Sequence, residues 1–223
     1  MVNRIQEIAP LLAEQFIDFD ADSETVANYN KLLNANSQRI GLYYQYLPLL
    51  HDSWFLDTTL TEKKYSTIIN DYTRYLFSLA LIERKKLEID RDDLVFPIHI
   101  DFKITELTFN RVDDNGIITL IEPTTIDVYL YEQILNVDAD AIELGLVVWK
   151  NYQDEPGEHI LILMKVKEIV VTEYQDKSWA LIFGNKYDDY LDYFKSQLKE
   201  GRYLSDQSLC DELIAEFDKK KRK

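Results

Sequence analysis

Between residues 94 and 110 the chain reads LVFPIHIDFKITELTFN. Phe96, Ile98, Ile100, Phe102 and Ile104 alternate with Pro97, His99, Asp101, Lys103 and Thr105. A period of two is met only by an extended strand with one dry face and one wet face, and such a strand needs neighbours to cover its apolar side. Further strand candidates follow at 117–122, 126–135, 143–150, 159–173 and 178–183, broken by Asp113-Asp114-Asn115-Gly116, Glu122-Pro123, NVDAD and QDEPGE. The Asn-Gly step favours a tight hairpin. These features predict a mainly antiparallel meander, strongly twisted or partly closed.

The flanks read differently. Ile5, Ile8, Leu11, Leu12, Phe16 and Ile17 have helical spacing, with Pro10 forcing either a kink or two short pieces. Ser23 is the expected N-cap of a second helix carrying Val26, Tyr29, Leu32, Leu33 and Ile40 and ending before Pro48. Residues 53–70 admit two readings. Trp54, Leu56, Thr58 and Leu60 alternate, TEKK is a turn, and YSTII pairs back as a strand; or one helix runs from Thr61 to Lys86. The β-branched run Thr67-Ile68-Ile69 and the capping residue Asp71 favour hairpin then helix. At the other end, Tyr187, Tyr190, Leu191, Phe194 and Leu198 form one helical stripe, stopped by Gly201, and Cys210, Leu213, Ile214 and Phe217 form another. With no repeat or composition break, residues 1–223 are expected to form a single α+β domain: N-terminal helices, a central mainly antiparallel twisted sheet and two C-terminal helices.

Charge narrows the function classes. Forty acidic residues oppose 25 basic ones, a net charge of −15, and five of the bases are the terminal run Lys219–Lys223. Such a body repels phosphate backbones, so no nucleic-acid partner is expected, and the basic run reads as a solubilising helix end. An acidic body suits a basic protein partner. One cysteine, Cys210, requires no oxidising compartment. The first twenty residues carry acids within their apolar stretch, unlike a signal peptide, and no apolar run reaches membrane-spanning length. A soluble cytoplasmic protein with no membrane partner is the expectation.

Six scattered glycines rule out a Gly-rich phosphate cradle, and no cofactor is expected. There is no G-x-S-x-G elbow, and Cys210 lies in an apolar stripe, which suits packing. Two acidic segments start like calcium loops, Asp18 to Tyr29 and Asn136 to Val147. Ser23 and Ala141 stand where the sharp-turn glycine belongs, and Tyr29 and Val147 where the bidentate glutamate belongs. Asp188, Asp189 and Asp192 read as a solvated helix face.

The three histidines give the best enzymatic case. His51-Asp52 is a His-Asp pair, His99 shares a wet strand face with Asp101, and His159 opens a strand after Pro156-Gly157. Gathered on one rim, His51, Asp52, His99, Asp101 and His159 would hold a metal and activate water. The local physics of LPLLHDSWFLDTTL favours a helix-to-sheet corner instead. Pro48 ends the helix, Leu49 and Leu50 bury, Asp52 can cap backbone N–H groups, and Trp54 packs against the sheet.

The segment Leu50-His51-Asp52-Ser53, entering a strand after an N-terminal helix, resembles an L-H-D-S opening in several uncharacterised bacterial families. Some of these look like immunity proteins of toxin–antitoxin or polymorphic-toxin systems. The resemblance implies a protein that covers a toxin surface, and it brings no catalytic role to His51 or Asp52. The leading expectation is therefore a non-enzymatic, acidic, Tyr-rich protein-binding module, with immunity function as its biological form. The alternative is a metal-dependent hydrolase using the His-Asp pair. A third reading, an acidic mimic of nucleic acid, needs carboxylates spaced like phosphates along a ridge.

Overall fold

A computed structural model describes residues 3–47, 50, 52–70, 72, 75, 79, 96–150 and 157–173. Seven strands run through them: β1 (Ser53–Leu60), β2 (Tyr65–Asn70), β3 (Pro97–Val112), β4 (Ile118–Ile121), β5 (Val128–Val137), β6 (Ile142–Lys150) and β7 (Glu158–Glu173). Every pairing is antiparallel.

The sheet closes on itself. β2 pairs with both β1 and β3, β3 with β7, β7 with β6, β6 with β5, and β5 returns to β1. An all-antiparallel ring needs an even number of strands, and these six satisfy that; β4 hangs on the far half of β3 as a seventh. The last seam is short. Ser53 registers with Tyr129 and Trp54 with Val128, and the Phe55 amide donates to the Asp127 carbonyl at 2.9 Å. Closure removes the exposed strand edges that a six-stranded open sheet would present.

Side chains fill the ring. Tyr65, Ile98, Ile100, Phe102, Tyr129, Leu144, Leu146, Ile160 and Ile162 belong to one buried cluster, to which the helical segments add Ile40, Tyr43, Tyr46 and Leu47. β3 serves this core with a change of phase. Ile98, Ile100 and Phe102 face inward, irregularities break the register between Lys103 and Glu106, and beyond them Phe109 is the buried apolar position. A bulge of this kind exchanges the two faces of a strand.

One long helix packs on the ring, α2 (Ser23–Ile40), between two single-turn helices, α1 (Ile5–Ile8) and α3 (Tyr43–Tyr46). Asp22, rather than the expected Ser23, caps α2, its carboxylate accepting the Thr25 amide at 2.7 Å. Gly41 ends that helix at φ +69°. Upstream, Pro10 separates α1 from a 3-10 turn at Ala13–Gln15, so the first apolar stripe is two short pieces. These lay Ile5, Ala9, Leu12 and Ala13 on the outer face of the sheet against Val128, Leu130, Val147 and Leu161, a second buried cluster. β6 is therefore covered on both faces, which is why its sequence runs apolar without alternation.

The α+β expectation is corrected. Among the described residues the body is an antiparallel seven-stranded sheet with a single helix longer than one turn, and no C-terminal helix pair is found there. N-terminal helices shrink to α2 and isolated turns because Pro10, Gly41 and the sheet's own need for cover cut the helical stripe short. The expected helices beyond residue 184, Cys210 and the strand at 178–183 lie outside the described residues. Residues 65–70 are strand, paired with β1 on one side and β3 on the other. No helix among the described residues is long and apolar enough to cross a membrane.

Candidate functional site

The structure places the expected site residues in three separate regions. His51 lies outside the described residues. His99 registers with Thr172 near one end of β7, whereas His159 opens that strand and registers with Trp149. At about 3.3 Å per residue that is roughly 40 Å of strand, so His99 and His159 cannot share an ion. Among the described residues no group of three or more His, Cys, Asp or Glu side chains is placed to hold a metal. The single-rim cluster of His51, Asp52, His99, Asp101 and His159 is corrected on this geometry. Among the described members of the set, only His99 and Asp101 come together. Both calcium-loop lookalikes resolve into turns, the first capping α2 through Asp22, the second turning β5 into β6 through Asp138, which accepts the Asp140 and Ala141 amides.

His159 is structural. Its Nδ1 lies 2.9 Å from the Gln15 carbonyl, and its ring packs edge-on to Trp149 and Phe16. Burial pushes its pKa down, keeping the imidazole neutral, with Nδ1–H donating to the carbonyl.

His99 and Asp101 meet two residues that the sequence did not single out, Ser66 and Lys64. Ser66 sits opposite Asp101 across the β2–β3 pair. His99 Nε2 lies 2.7 Å from Ser66 Oγ and 3.0 Å from Asp101 Oδ1; Ser66 donates to the same carboxylate, and Lys64 Nζ reaches it at 3.2 Å. Burial alone would raise the Asp101 pKa, but hydrogen bonds from Ser66 and Lys64, with the nearby His99 and Lys64, hold it below the usual carboxylate value. The residue types are those of a nucleophilic triad, and the arrangement is not. In a triad the carboxylate orients one imidazole nitrogen and the other takes the serine proton. Here serine and carboxylate share one nitrogen, and the hydroxyl proton is offered to the carboxylate. The cluster locks β2 to β3.

A second polar group lies within the core. The hydroxyls of Tyr43 and Tyr129 are 2.8 Å apart, and Tyr129 is hydrogen-bonded to Glu132. Glu132 is only partly covered as a residue, yet its carboxyl group sits beside the phenol away from water, and that desolvation raises its pKa to about 8. A bulge between Tyr129 and Tyr131 conceals the inward phase of Glu132 in the sequence.

The third region is the corner itself. Asp52 adopts φ +61°, the one positive value at a non-glycine among the described residues, and the Ser53 amide donates to the Leu50 carbonyl across the turn. Ser53, buried at the seam, accepts the Tyr72 amide at 3.2 Å. The turn delivers the chain into register with β5. Beside it, Asp52, Trp54, Tyr72 and Val128 line a pocket of about 140 Å³. Trp54 meets the rings of Tyr72 and Tyr75 edge-on, with centroids 5.2 and 5.5 Å away.

Comparison of the chain with protein-family models, curated proteins and solved structures finds no match in any of the three.

Proposed function

We propose that this chain is a non-enzymatic module that binds a basic protein through its acidic surface, in the bacterial cytoplasm, with neutralisation of a toxin as an immunity factor its biological form. One observation carries the reading: forty acidic residues face 25 basic ones, an excess that attracts basic partners and speeds their association. Two features of the site are in keeping with it. Described side chains pack the inside of the ring, and among the described residues the Ser66-His99-Asp101 contact is arranged as a cross-strand tie. The reading involves no nucleic-acid or membrane partner, because a body of this charge is repelled by both kinds of phosphate surface.

Association rates with a co-purified basic partner, measured across an ionic-strength series, test the proposal. Electrostatic steering predicts a rate that falls by about tenfold or more between low and high salt. Indifference to salt would defeat it. The alternative hydrolase built on His51-Asp52 is tested by elemental analysis of purified protein: stoichiometric metal that disappears in His51→Ala would establish it in place of the binding module.

A further inference from the structure

We propose that Asn115 is a site of spontaneous deamidation, in which the backbone nitrogen of Gly116 attacks the Asn115 carboxamide, and that docking of residues 3–8 on the β3–β4 hairpin holds the reaction back. The inference stands apart from the identity of any partner, because its only co-reactant is water.

Asn115-Gly116 is the one Asn-Gly step in the chain. Asparagine is a thermolabile residue, and a following glycine has no Cβ to obstruct the approach of its nitrogen to the preceding side chain. Asn115 is exposed at the tip of the hairpin, and no hydrogen bond among the described residues holds its carboxamide. In the reaction the Gly116 nitrogen gives up its proton and bonds to Asn115 Cγ, the Cγ–Nδ2 bond breaks, and ammonia leaves. Water then opens the cyclic imide at either carbonyl, giving aspartate or isoaspartate. Nothing is oxidised or reduced. Asn36, also followed by a small residue, differs: its Nδ2 donates to the Leu32 carbonyl at 2.8 Å within α2.

The same hairpin restrains the attack. The Gly116 proton that must leave is donated to the Asp113 carbonyl at 2.8 Å, and the Asn115 amide is held by the Asp113 carboxylate at 2.9 Å. The N-terminal segment adds a second restraint. The Gly116 carbonyl accepts the Ile5 amide at 2.9 Å, the Asn3 carbonyl accepts the Ile118 amide at 3.0 Å, and side-chain atoms of Gln6, Ile17 and Ile5 crowd the α-carbon of Gly116. Gly116 is buried although Asn115 is exposed. Turning the Gly116 nitrogen toward Asn115 Cγ means rotating the peptide group between them, and Ile5 must first let go. Isoaspartate then routes the main chain through the former side-chain carbon. The added methylene moves the Gly116 carbonyl away from Ile5, so the modified chain docks residues 3–8 less firmly. Either product also sets a third carboxylate beside Asp113 and Asp114.

The experiment incubates the full chain in mildly alkaline buffer, folded and in urea, and follows asparagine, aspartate and isoaspartate at position 115 by peptide mapping, with Asn36 as the internal comparison. In urea Asn115 should convert ahead of Asn36. In the folded chain it should still convert, about tenfold or more slowly, because the reaction waits for the hairpin to open. Hydrogen exchange at the Ile5 amide measures that opening, and its slowing on folding should match the slowing of deamidation. Ile5→Ala loosens the docked segment and should bring the folded rate several-fold closer to the rate in urea. Conversion at Asn115 no faster than at Asn36 in urea would overturn the site. Equal rates in the folded and unfolded chain would overturn the restraint, as would a folded rate unrelated to Ile5 exchange. None of these three outcomes depends on a variant folding.

Discussion

The phenol oxygens of Tyr43 and Tyr129 stand 2.8 Å apart inside the closed sheet, one residue carried by the single turn α3 and the other by β5 at the seam. Both residues are fully buried, and desolvation raises both phenols well above their ordinary pKa. The pair ties the helical cover to the strand on which ring closure depends. Its members are not equivalent, because Tyr129 also meets the carboxyl group of Glu132. Tyr129→Phe removes that partner from both Tyr43 and Glu132, whereas Tyr43→Phe leaves Tyr129 still bonded to Glu132. Urea unfolding should therefore show a loss of about 1 kcal/mol for Tyr43→Phe and about 2–3 kcal/mol for Tyr129→Phe. The double variant should cost less than the sum of the two.

Glu132 makes stability depend on pH in an unusual sense for a carboxylate. Its folded pKa of about 8 lies above its ordinary value of 4.5, so between these limits the folded chain holds a proton that the unfolded chain has lost. The unfolded state binds fewer protons there, and unfolding free energy falls as pH rises. The contribution is complete below the unfolded value and is lost as pH rises through the folded one. A single proton limits the slope to about 1.4 kcal/mol per pH unit. Wild-type chain should lose denaturant resistance from about pH 5 to pH 8, and Glu132→Gln should flatten that decline. An unchanged slope in the variant would assign the effect to other groups.

The two polar groups differ in how far the sequence revealed them. His99 and Asp101 were legible because a clean alternation from Phe96 to Ile104 put both on one face. Their partner Ser66 was not, since YSTIIN also fits a helical stripe and only pairing with β3 sets Ser66 opposite Asp101. Glu132 was hidden by a bulge, which shifts phase without changing composition. The phase change in β3 did leave a trace: after Ile104 the apolar residues are Leu107 and Phe109, even positions giving way to odd. Ring closure is legible only as far as a partly closed meander, because the seam that completes it is short and joins strands far apart in the chain. At the corner the structure shows the turn from Leu50 to Ser53, while the pocket beside it needs Val128 and Tyr72, which only the fold brings near.

Gly116 closes the β3–β4 hairpin and anchors the N-terminal segment at once. Its amide donates to the Asp113 carbonyl at 2.8 Å, its own carbonyl accepts the Ile5 amide at 2.9 Å, and its φ is +74°. Asn115 is not left-handed, so the turn is not the two-residue form that an Asn-Gly step favours; the Asp113 carboxylate organises it by accepting the Asn115 and Ile117 amides. A Cβ at position 116 would stand 2.7 Å from Gln6 Oε1, with Ile17 and Ile5 at 3.2 and 3.3 Å. Gly116→Ala combines an unfavourable φ with that crowding and should cost about 1–3 kcal/mol. Hydrogen exchange should locate the loss at the Ile5 and Ile118 amides, leaving the β2–β3 ladder protected.

The lock between β2 and β3 is expected to fail on the acid side only. Asp101 is the shared acceptor for Ser66, His99 and Lys64, and its pKa is depressed below 3.8. For a carboxylate with a depressed folded pKa, the stabilisation is complete above the unfolded value and is lost as pH falls through the folded one. Asp101 remains about a quarter exposed, which screens its ion pairs, so the hydrogen bond from Ser66 should dominate. Asp101→Asn should cost about 1 kcal/mol near neutral pH, and wild type and variant should converge as the solution is acidified through the carboxylate range. Lys64→Met should cost less, because its ammonium approaches from solvent. Denaturant midpoints for the two variants across an acid series check both statements. A cost for Asp101→Asn that persisted unchanged into strong acid would mean that the carboxylate's shape, and not its charge, holds the strands together.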